Sequence, residues 1–253
     1  MVSFEPAGRL GNWLLEFFCA AAYAFRHKQS FTVLPQGHRD RKWNPCYLQD
    51  LVNPNYNPQL ERIDLWENGH GYQELPFDES WSNKNIIIHG YRQSFKYCED
   101  YRDEVLALIG DNWIIKKGVV GVHVRRGDYT HLLTKHIQYD ISYYRKCTSY
   151  FYNLGYSDFK IYSDDIPFCR QEFSKPDFSA FNIEYSNIQS EWDDLMDLSC
   201  CEHHINSSST FSLCAAWINR NKEKIVLTPE HWFVPGWMDM DVSDIVPESF
   251  IKM

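Results

Sequence analysis

The sequence predicts an α/β fold built on parallel sheets, and three observations carry that expectation. In the second half of the 253 residues, short β-branched or aromatic runs alternate with stretches of helical length, the pattern of strands joined by crossover helices. One of these runs, residues 119–124, is valine at four of its six positions, as suits a strand covered on both faces. Charged and hydroxyl residues then follow directly after several runs, and the carboxyl ends of strands are where open α/β sheets bind ligands.

Taken in order, a short strand is expected at 2–4, then a glycine-containing turn at 8–12. A helix from Trp13 to about His27 is apolar nearly all round and should be buried. A strand is expected at 31–34. Residues 36–83 are rich in Pro, Asn, Gly and Trp and read as irregular. A strand at 86–89 and a helix from about 98 to 109 close this half. Beyond a break at 111–117 come the strand at 119–124, a helix at 142–154 ending before Gly155, a strand at 159–163 and a helix at 166–173. A strand at 182–185, a helix at 191–202, a short strand at 204–206, a helix at 210–220 and a strand at 224–227 complete the series. The break divides the chain into halves at 1–113 and 114–253.

Composition narrows the function. The chain is 44% hydrophobic, enough for a real core, and its 9 Trp, 16 Tyr and 16 Phe mostly fill it. The net charge is −9 with no run of Lys or Arg, which disfavours nucleic-acid binding. The first residues lack the basic and apolar regions of a signal peptide, and the apolar stretch 13–25 is interrupted by Glu16 and too short to span a bilayer. Eight cysteines in that setting read as reduced thiols of a cytoplasmic protein, where the Asn206-Ser207-Ser208 sequon has no meaning for glycosylation.

Four constellations carry chemistry. In Gly121-Val122-His123-Val124-Arg125-Arg126-Gly127-Asp128-Tyr129 a buried strand runs into two guanidiniums, each able to bind two phosphate oxygens at once. An internal ion pair of Arg125 or Arg126 with Asp128 is the structural alternative. Gly8-Arg9-Leu10-Gly11-Asn12 opens the first helix, with Asn12 as the expected N-cap and the helix terminus as an anion attractor. Alone, this pattern is also that of an ordinary strand–turn–helix connection. Ser163-Asp164-Asp165 follows a strand. Its groups can accept bonds from a nucleobase or ribose, hold a divalent cation, or simply cap the next helix. Ser207-Ser208-Ser209-Thr210-Phe211-Ser212 places hydroxyls at a helix start, suited to a phosphate or to capping. Cys200-Cys201-Glu202-His203-His204 contains zinc-ligand residue types, but no second pair has zinc spacing, so a buried helix end is the better reading and no metal site is expected.

These motifs, in this order, resemble the α-1,2-fucosyltransferase family and its wider fucosyltransferase relatives over nearly the full length. The likeness takes in Gly8 to Asn12, Gly90-Tyr91-Arg92-Gln93-Ser94, His123 to Tyr129, Tyr162 to Asp165, Ser209-Thr210-Phe211-Ser212 with Ala216-Trp217, and Asp244-Ile245-Val246-Pro247. It departs where Trp13-Leu14-Leu15 stand for the usual Gln-Met-Phe, where Ser207-Ser208 precede the Ser-rich helix start, and at Leu213-Cys214.

The resemblance implies a GT-B-like fold of two facing Rossmann-like halves, the first on the acceptor side and the second holding the donor. It implies an inverting glycosyltransferase that moves L-fucose from GDP-fucose to a glycan hydroxyl, α-1,2 to galactose, with no metal or other cofactor. Arg125 would contact the pyrophosphate. His123, the Ser163 to Asp165 loop and Ser209, Thr210 and Phe211 would hold GDP, and Asn12 would approach from the facing half. Because the leaving pyrophosphate gains charge, Arg125 is expected to meet it, assisted by Arg126, Ser209 and Thr210. Asp128 is a candidate base for the acceptor hydroxyl or an orienting partner of the arginines, and His136 is a second candidate base. The rivals are a transferase for another GDP-sugar or acceptor, and a non-catalytic nucleotide- or carbohydrate-binding module.

Overall fold

The computed structural model describes residues 1–34, 48, 51, 53–69, 71–110, 113–134, 136–187, 190–234 and 243–253. The chain divides into two compact units, Met1–Asn112 with Met240–Pro247, and Trp113–Asp239 with Glu248–Met253. The sequence reading kept 114–253 together. The return of the tail to the first unit is held by Asp244, which pairs with Lys96 and accepts from the Tyr72 backbone N–H at 3.1 Å.

The first unit contains β1 (Val2–Phe4), α1 (Leu10–Arg26), β2 (Arg62–Leu65), β3 (Asn85–Ile88) and α2 (Arg102–Ile109). Its sheet runs β1-β3-β2, parallel throughout. Helix α1 is buried at every residue from Trp13 to Ala24, as its all-round apolar character requires. It starts earlier than expected. Arg9 is the N-cap and the Trp13 N–H already closes a turn onto the Arg9 carbonyl at 2.9 Å, so Asn12 lies inside the first turn and is not the cap. The expected strand at 31–34 is reduced to a single bridge between Phe31 and Val2. The region read as irregular contains β2, and 36–47, 49–50, 52 and 70 of it lie outside the described residues, as do 111–112 of the expected break. A 3-10 turn at Glu99–Tyr101 replaces the first part of the expected second helix, and another at Phe95–Tyr97 precedes it.

The second unit contains β4 (Lys116–Val124), α3 (Ile141–Asn153), β5 (Asp158–Ser163), α4 (Ile166–Phe173), β6 (Asn182–Tyr185), α5 (Glu191–Ser199), β7 (Cys201–Ile205), α6 (Thr210–Ile218), β8 (Val226–Thr228) and β9 (Ile251–Lys252). The order is β6-β5-β4-β7-β8-β9, with parallel pairing at each step. The chain winds outward from β4 to β6, then crosses back to place β7 on the other side of β4. The winding reverses between β4 and β7, and their carboxyl ends flank the position where doubly wound sheets bind ligands.

One face of this sheet presents Val120, Val122, Val124, Ile161, Ile205 and Leu227 to Tyr144, Cys147 and Phe151 of α3 and Cys169 and Phe173 of α4. On the other face Gly121 admits α5 closely: a Cβ there would lie 2.5 Å from Leu198 Cδ1 and 3.0 Å from Cys201 Sγ. The helix expected at 191–202 ends at Ser199, and β7 begins two residues later. Cys200-Cys201-Glu202-His203-His204 is therefore mostly strand, which splits its ligand types. His203 stacks on Phe151 and bonds the Tyr156 hydroxyl at 2.7 Å, whereas His204 Nε2 meets Asn219 Nδ2 at 2.9 Å. Among the described residues no three His, Cys, Asp or Glu side chains gather as metal ligands would, and no helix is long and apolar enough to cross a membrane.

Burial also sets a pH dependence. It holds the imidazoles of His123 and His204 down at about 3, helped by the positive charge of Arg125 beside the first and of Lys224 and His203 beside the second. Their ordinary value is 6.5, so below that pH the unfolded chain takes up protons that the folded chain refuses. Stability therefore falls as pH drops from about 6.5 toward 3, by about 2 kcal/mol for each histidine at pH 5. The melting temperature should be roughly 10 °C lower at pH 5.0 than at pH 7.5. An unchanged midpoint would contradict the burial of two neutral imidazoles.

Candidate active site

The segments that leave β4, β5 and β7 at the carboxyl edge are laced together by side chains. The register explains how. His123 pairs across to Tyr162 and Val124 to Ser163, so the residues that follow on β4 meet those that follow on β5. Arg125 Nη1 donates to Asp164 Oδ2 at 2.5 Å, and its Nη2 pairs with Asp128. Asp164 Oδ1 also accepts the Arg126 backbone N–H at 2.9 Å. One carboxylate thus fixes both the main chain and the leading guanidinium of the arginine pair, with charge-assisted bonds that are stronger than neutral ones.

Arg126 turns elsewhere. Its Nε donates to Asp165 Oδ2 at 3.1 Å, and its guanidinium lies 3.5 Å from the Phe168 ring centroid. Asp165 is also the N-cap of α4, accepting the Phe168 N–H at 3.1 Å, and the Ser163 hydroxyl accepts the Asp165 N–H at 3.0 Å. Capping, one of the readings left open for this triplet, is therefore realised at Asp165, and Ser163 and Arg126 serve the same turn. The ion-pair reading of the arginine motif is realised as well, since Arg125 is paired with Asp128 and Asp164.

Across the switch point, His123 Nδ1 lies 2.8 Å from Ser207 Oγ, and its ring stacks on Phe211 at 5.0 Å. The imidazole is neutral for the reason given above, so it presents a donor and an acceptor without adding charge. Tyr129 joins the same segments: its hydroxyl donates to the Ser208 carbonyl at 3.2 Å, and the Ser208 hydroxyl donates to the Ile137 carbonyl at 3.0 Å. Ser209 is the N-cap of α6, yet its side chain makes no cap bond. The first turn of α6, with Thr210 and Phe211 at its head, therefore carries backbone N–H groups toward the same edge, and a helix start of this kind attracts anions.

His136 reaches the site through Tyr129. The Tyr129 ring stacks on His136 at 4.1 Å and carries the Arg125 guanidinium 5.0 Å from its centroid. Asn12 belongs to the first unit, where its amide oxygen accepts from Gln93 Nε2 at 2.9 Å. That bond gives the Gly90 to Ser94 motif a local task. The Glu67 carboxylate takes the Tyr91 and Arg92 N–H groups at 2.8 and 3.0 Å, and the buried Arg92 guanidinium donates to the His89 and Leu65 carbonyls, both at 2.9 Å.

The sequence reading placed Asn206 at the end of a strand and in an idle sequon, and gave it no part in the site. It follows β7 directly, level with His123 on β4, and is 1% exposed. Among the described residues no group bonds either amide atom of Asn206 or the hydroxyl of Thr228, which is level with it on β8. The only signal in the sequence was position, the residue after a strand at the carboxyl edge.

A guanidinium held by two carboxylates, a helix start, several hydroxyls and a neutral imidazole converge at one sheet edge, which is the equipment for receiving an anionic leaving group. The family model described as "Glycosyl transferase family 11" matches residues 72–235, a span that contains all of these groups. The chain belongs to glycosyl transferase family 11. As a family 11 member it is a glycosyltransferase. The O-antigen biosynthesis glycosyltransferase WbnK of Escherichia coli is 29% identical over 222 residues, covering 80% of this chain and 69% of that protein. Galactoside alpha-(1,2)-fucosyltransferase 2 of Bos taurus is 25% identical over 284 residues, covering 98% and 80%. Galactoside alpha-(1,2)-fucosyltransferase 1 of Homo sapiens is 23% identical over 282 residues, covering 96% and 75%. Among solved structures, POFUT1 in complex with GDP superposes with a TM-score of 0.51 at 10% identity, covering 90% of this chain and 97% of that one. That likeness shows the shared fold, the GT-B-like pair of parallel-sheet units.

Proposed function

We propose that this family 11 glycosyltransferase moves L-fucose from GDP-fucose to a glycan hydroxyl, forming an α-1,2 linkage to galactose with inversion at the anomeric carbon. The observation that carries the reading is the Arg125 fork at the carboxyl edge, two residues beyond the His123 ring that stacks on Phe211 in the first turn of α6. The names of the bovine and human relatives support the fucose and the galactoside, and the neighbour in complex with GDP supports the nucleotide.

In this reading the bond from the sugar to the β-phosphate breaks through an oxocarbenium-like transition state. Positive charge develops on the sugar and negative charge on the departing diphosphate. Arg125 meets the latter, and phosphate oxygens displace at least one of the carboxylates that hold the fork before the donor arrives. Asp128 is the better candidate to give way, because its side chain is 48% exposed against 28% for Asp164. Ion pair and receptor are then two states of one device, with Asp164 keeping the guanidinium aimed. Ser209, Thr210 and the α6 N–H groups add donors, and His123, with Phe211 behind it, contributes a neutral hydrogen-bonding group. Arg126, Ser163 and Asp165 act by fixing the turn after β5.

Inversion requires the acceptor to attack opposite the leaving phosphate. A carboxylate bonded to the guanidinium that binds that phosphate lies on the leaving side, so Asp128 is better placed to hold Arg125 before the donor arrives than to take the acceptor proton. His136 remains the second candidate for that proton. The proposal includes metal independence, since guanidinium and helix terminus supply the positive charge.

Product analysis tests the reading. With GDP-fucose and a β-galactoside, a fucosylated product with an α-1,2 linkage is expected, at a rate unchanged by excess chelator. Transfer from another GDP- or UDP-sugar and not from GDP-fucose would overturn the donor assignment, and GDP binding without turnover would favour the non-catalytic rival.

A further inference from the structure

At the carboxyl edge of the first unit's sheet the register aligns Phe4, Ile88 and Leu65, so the next residues, Glu5, His89 and Trp66, form a row across the strand ends. The Trp66 indole lies flat on the His89 imidazole, with ring centroids 3.9 Å apart and an interplanar angle of 10°. His89 is only 3% exposed and is bracketed by carboxylates: Nε2 lies 2.6 Å from Asp64 Oδ1 and Nδ1 lies 3.4 Å from Glu5 Oε2. Arg62 Nη2 reaches Glu5 at 3.2 Å and also pairs with Asp64, closing the frame. Trp66 itself is 66% exposed. The indole is therefore anchored on one face and open on the other. Its support is a charged, hydrogen-bonded scaffold rather than an apolar core that would have drawn the ring inward.

We propose that Trp66 is a stacking platform for a pyranose ring of the acceptor, and specifically for the apolar face of a galactose unit. This rests on the reading above that the acceptor is a galactoside. The axial 4-hydroxyl of galactose leaves a contiguous patch of C–H groups on one face of the ring, which suits a flat indole. The hydroxyls around that patch need charged or polar partners, and the carboxylates and guanidinium that frame His89 are of the right chemistry to bind them. Ligand sites combine an apolar surface with a few polar groups in this way. Trp66 stands at the strand ends, where α/β sheets bind their ligands. The imidazole beneath it is fixed at both nitrogens, Nδ1 facing Glu5 and Nε2 facing Asp64 and Arg62.

The test uses Trp66→Ala and Trp66→Phe in the full chain. Because the ring is mostly exposed, both variants should melt close to the wild type. With GDP-fucose and a β-galactoside, Trp66→Ala should raise the acceptor KM roughly tenfold, with the donor KM unchanged, and Trp66→Phe should recover most of the loss. An acceptor KM within about twofold of wild type in Trp66→Ala overturns the platform. Ligand-observed NMR with methyl β-galactoside and GDP separates this failure from failure of the transfer reading, because it needs no turnover. A galactoside signal in the wild type that is lost in Trp66→Ala is expected. An equal signal in both, or none in the wild type, overturns the proposal whether or not GDP-fucose is consumed.

Discussion

Arg125→Ala is expected to lower kcat by about a hundredfold or more while the chain stays folded. The magnitude is that of removing one preorganised donor from a developing anion. The fold should survive because Arg125 stands beyond the end of β4, outside the apolar cluster beneath it. The two carboxylates it leaves behind can rehydrate, with side chains 48% and 28% exposed at Asp128 and Asp164, and Asp164 keeps its bond to the Arg126 N–H. The stability loss should be on the order of 1 kcal/mol, a few degrees in melting temperature. Steady-state kinetics beside a thermal melt check both parts. A variant that turns over near the wild-type rate would remove Arg125 from the leaving-group role.

The second large effect is expected from Gly127→Ala. Gly127 has φ +25, a conformation that side chains resist, and an added Cβ would overlap the Asp164 carboxylate, whose Cγ would lie 3.1 Å away. That carboxylate holds both the Arg125 fork and the Arg126 N–H, so a methyl group here disturbs the receptor without touching its charge. Donor affinity should fall by roughly tenfold or more. Gly155→Ala is the control. It carries the same kind of strain, with φ +93, but a Cβ there meets nothing within 4 Å, so it should cost about 1 kcal/mol of stability and no activity. Equal donor KM values in the two variants would show that the packing of Asp164 does not matter.

Both effects act on a motif that the sequence singled out, because charged residues at the end of a buried strand need partners. The elements around it were legible for similar local reasons. Helix α4 announces itself through Asp165 and Pro167 at its start, and β6 through the alternation of polar and apolar residues from Asn182 to Tyr185. What escaped depends on partners distant in sequence. Strand β2 has only Ile63 and Leu65 as apolar residues and sits at a sheet edge, too short a pattern to stand out from its surroundings. The end of α5 was misplaced because only Cys200 separates helix from strand, with no glycine or proline to mark the change. The start of α1 was misplaced because a backbone bond to Arg9, not the side chain of Asn12, closes the first turn.

The candidate site divides along the same line. The residue types were readable, but their pairing was not. That Asp164 serves Arg125 while Asp165 serves Arg126 follows from the parallel register of β4 with β5, and the His123 to Ser207 contact follows from β7 lying on the other side of β4. Trp66 drew no notice because it follows a strand that was not foreseen, and Asn206 was given no part in the site because it was read as the last residue of its strand.

The central claim is that the Arg125 edge receives a nucleoside diphosphate. Calorimetric titration of GDP and of guanosine into wild type and Arg125→Ala, with chelator present, tests it most directly. Wild type should bind GDP at least about tenfold more tightly than guanosine, and the variant should lose most of that preference. A variant that keeps the full preference for GDP would contradict the claim.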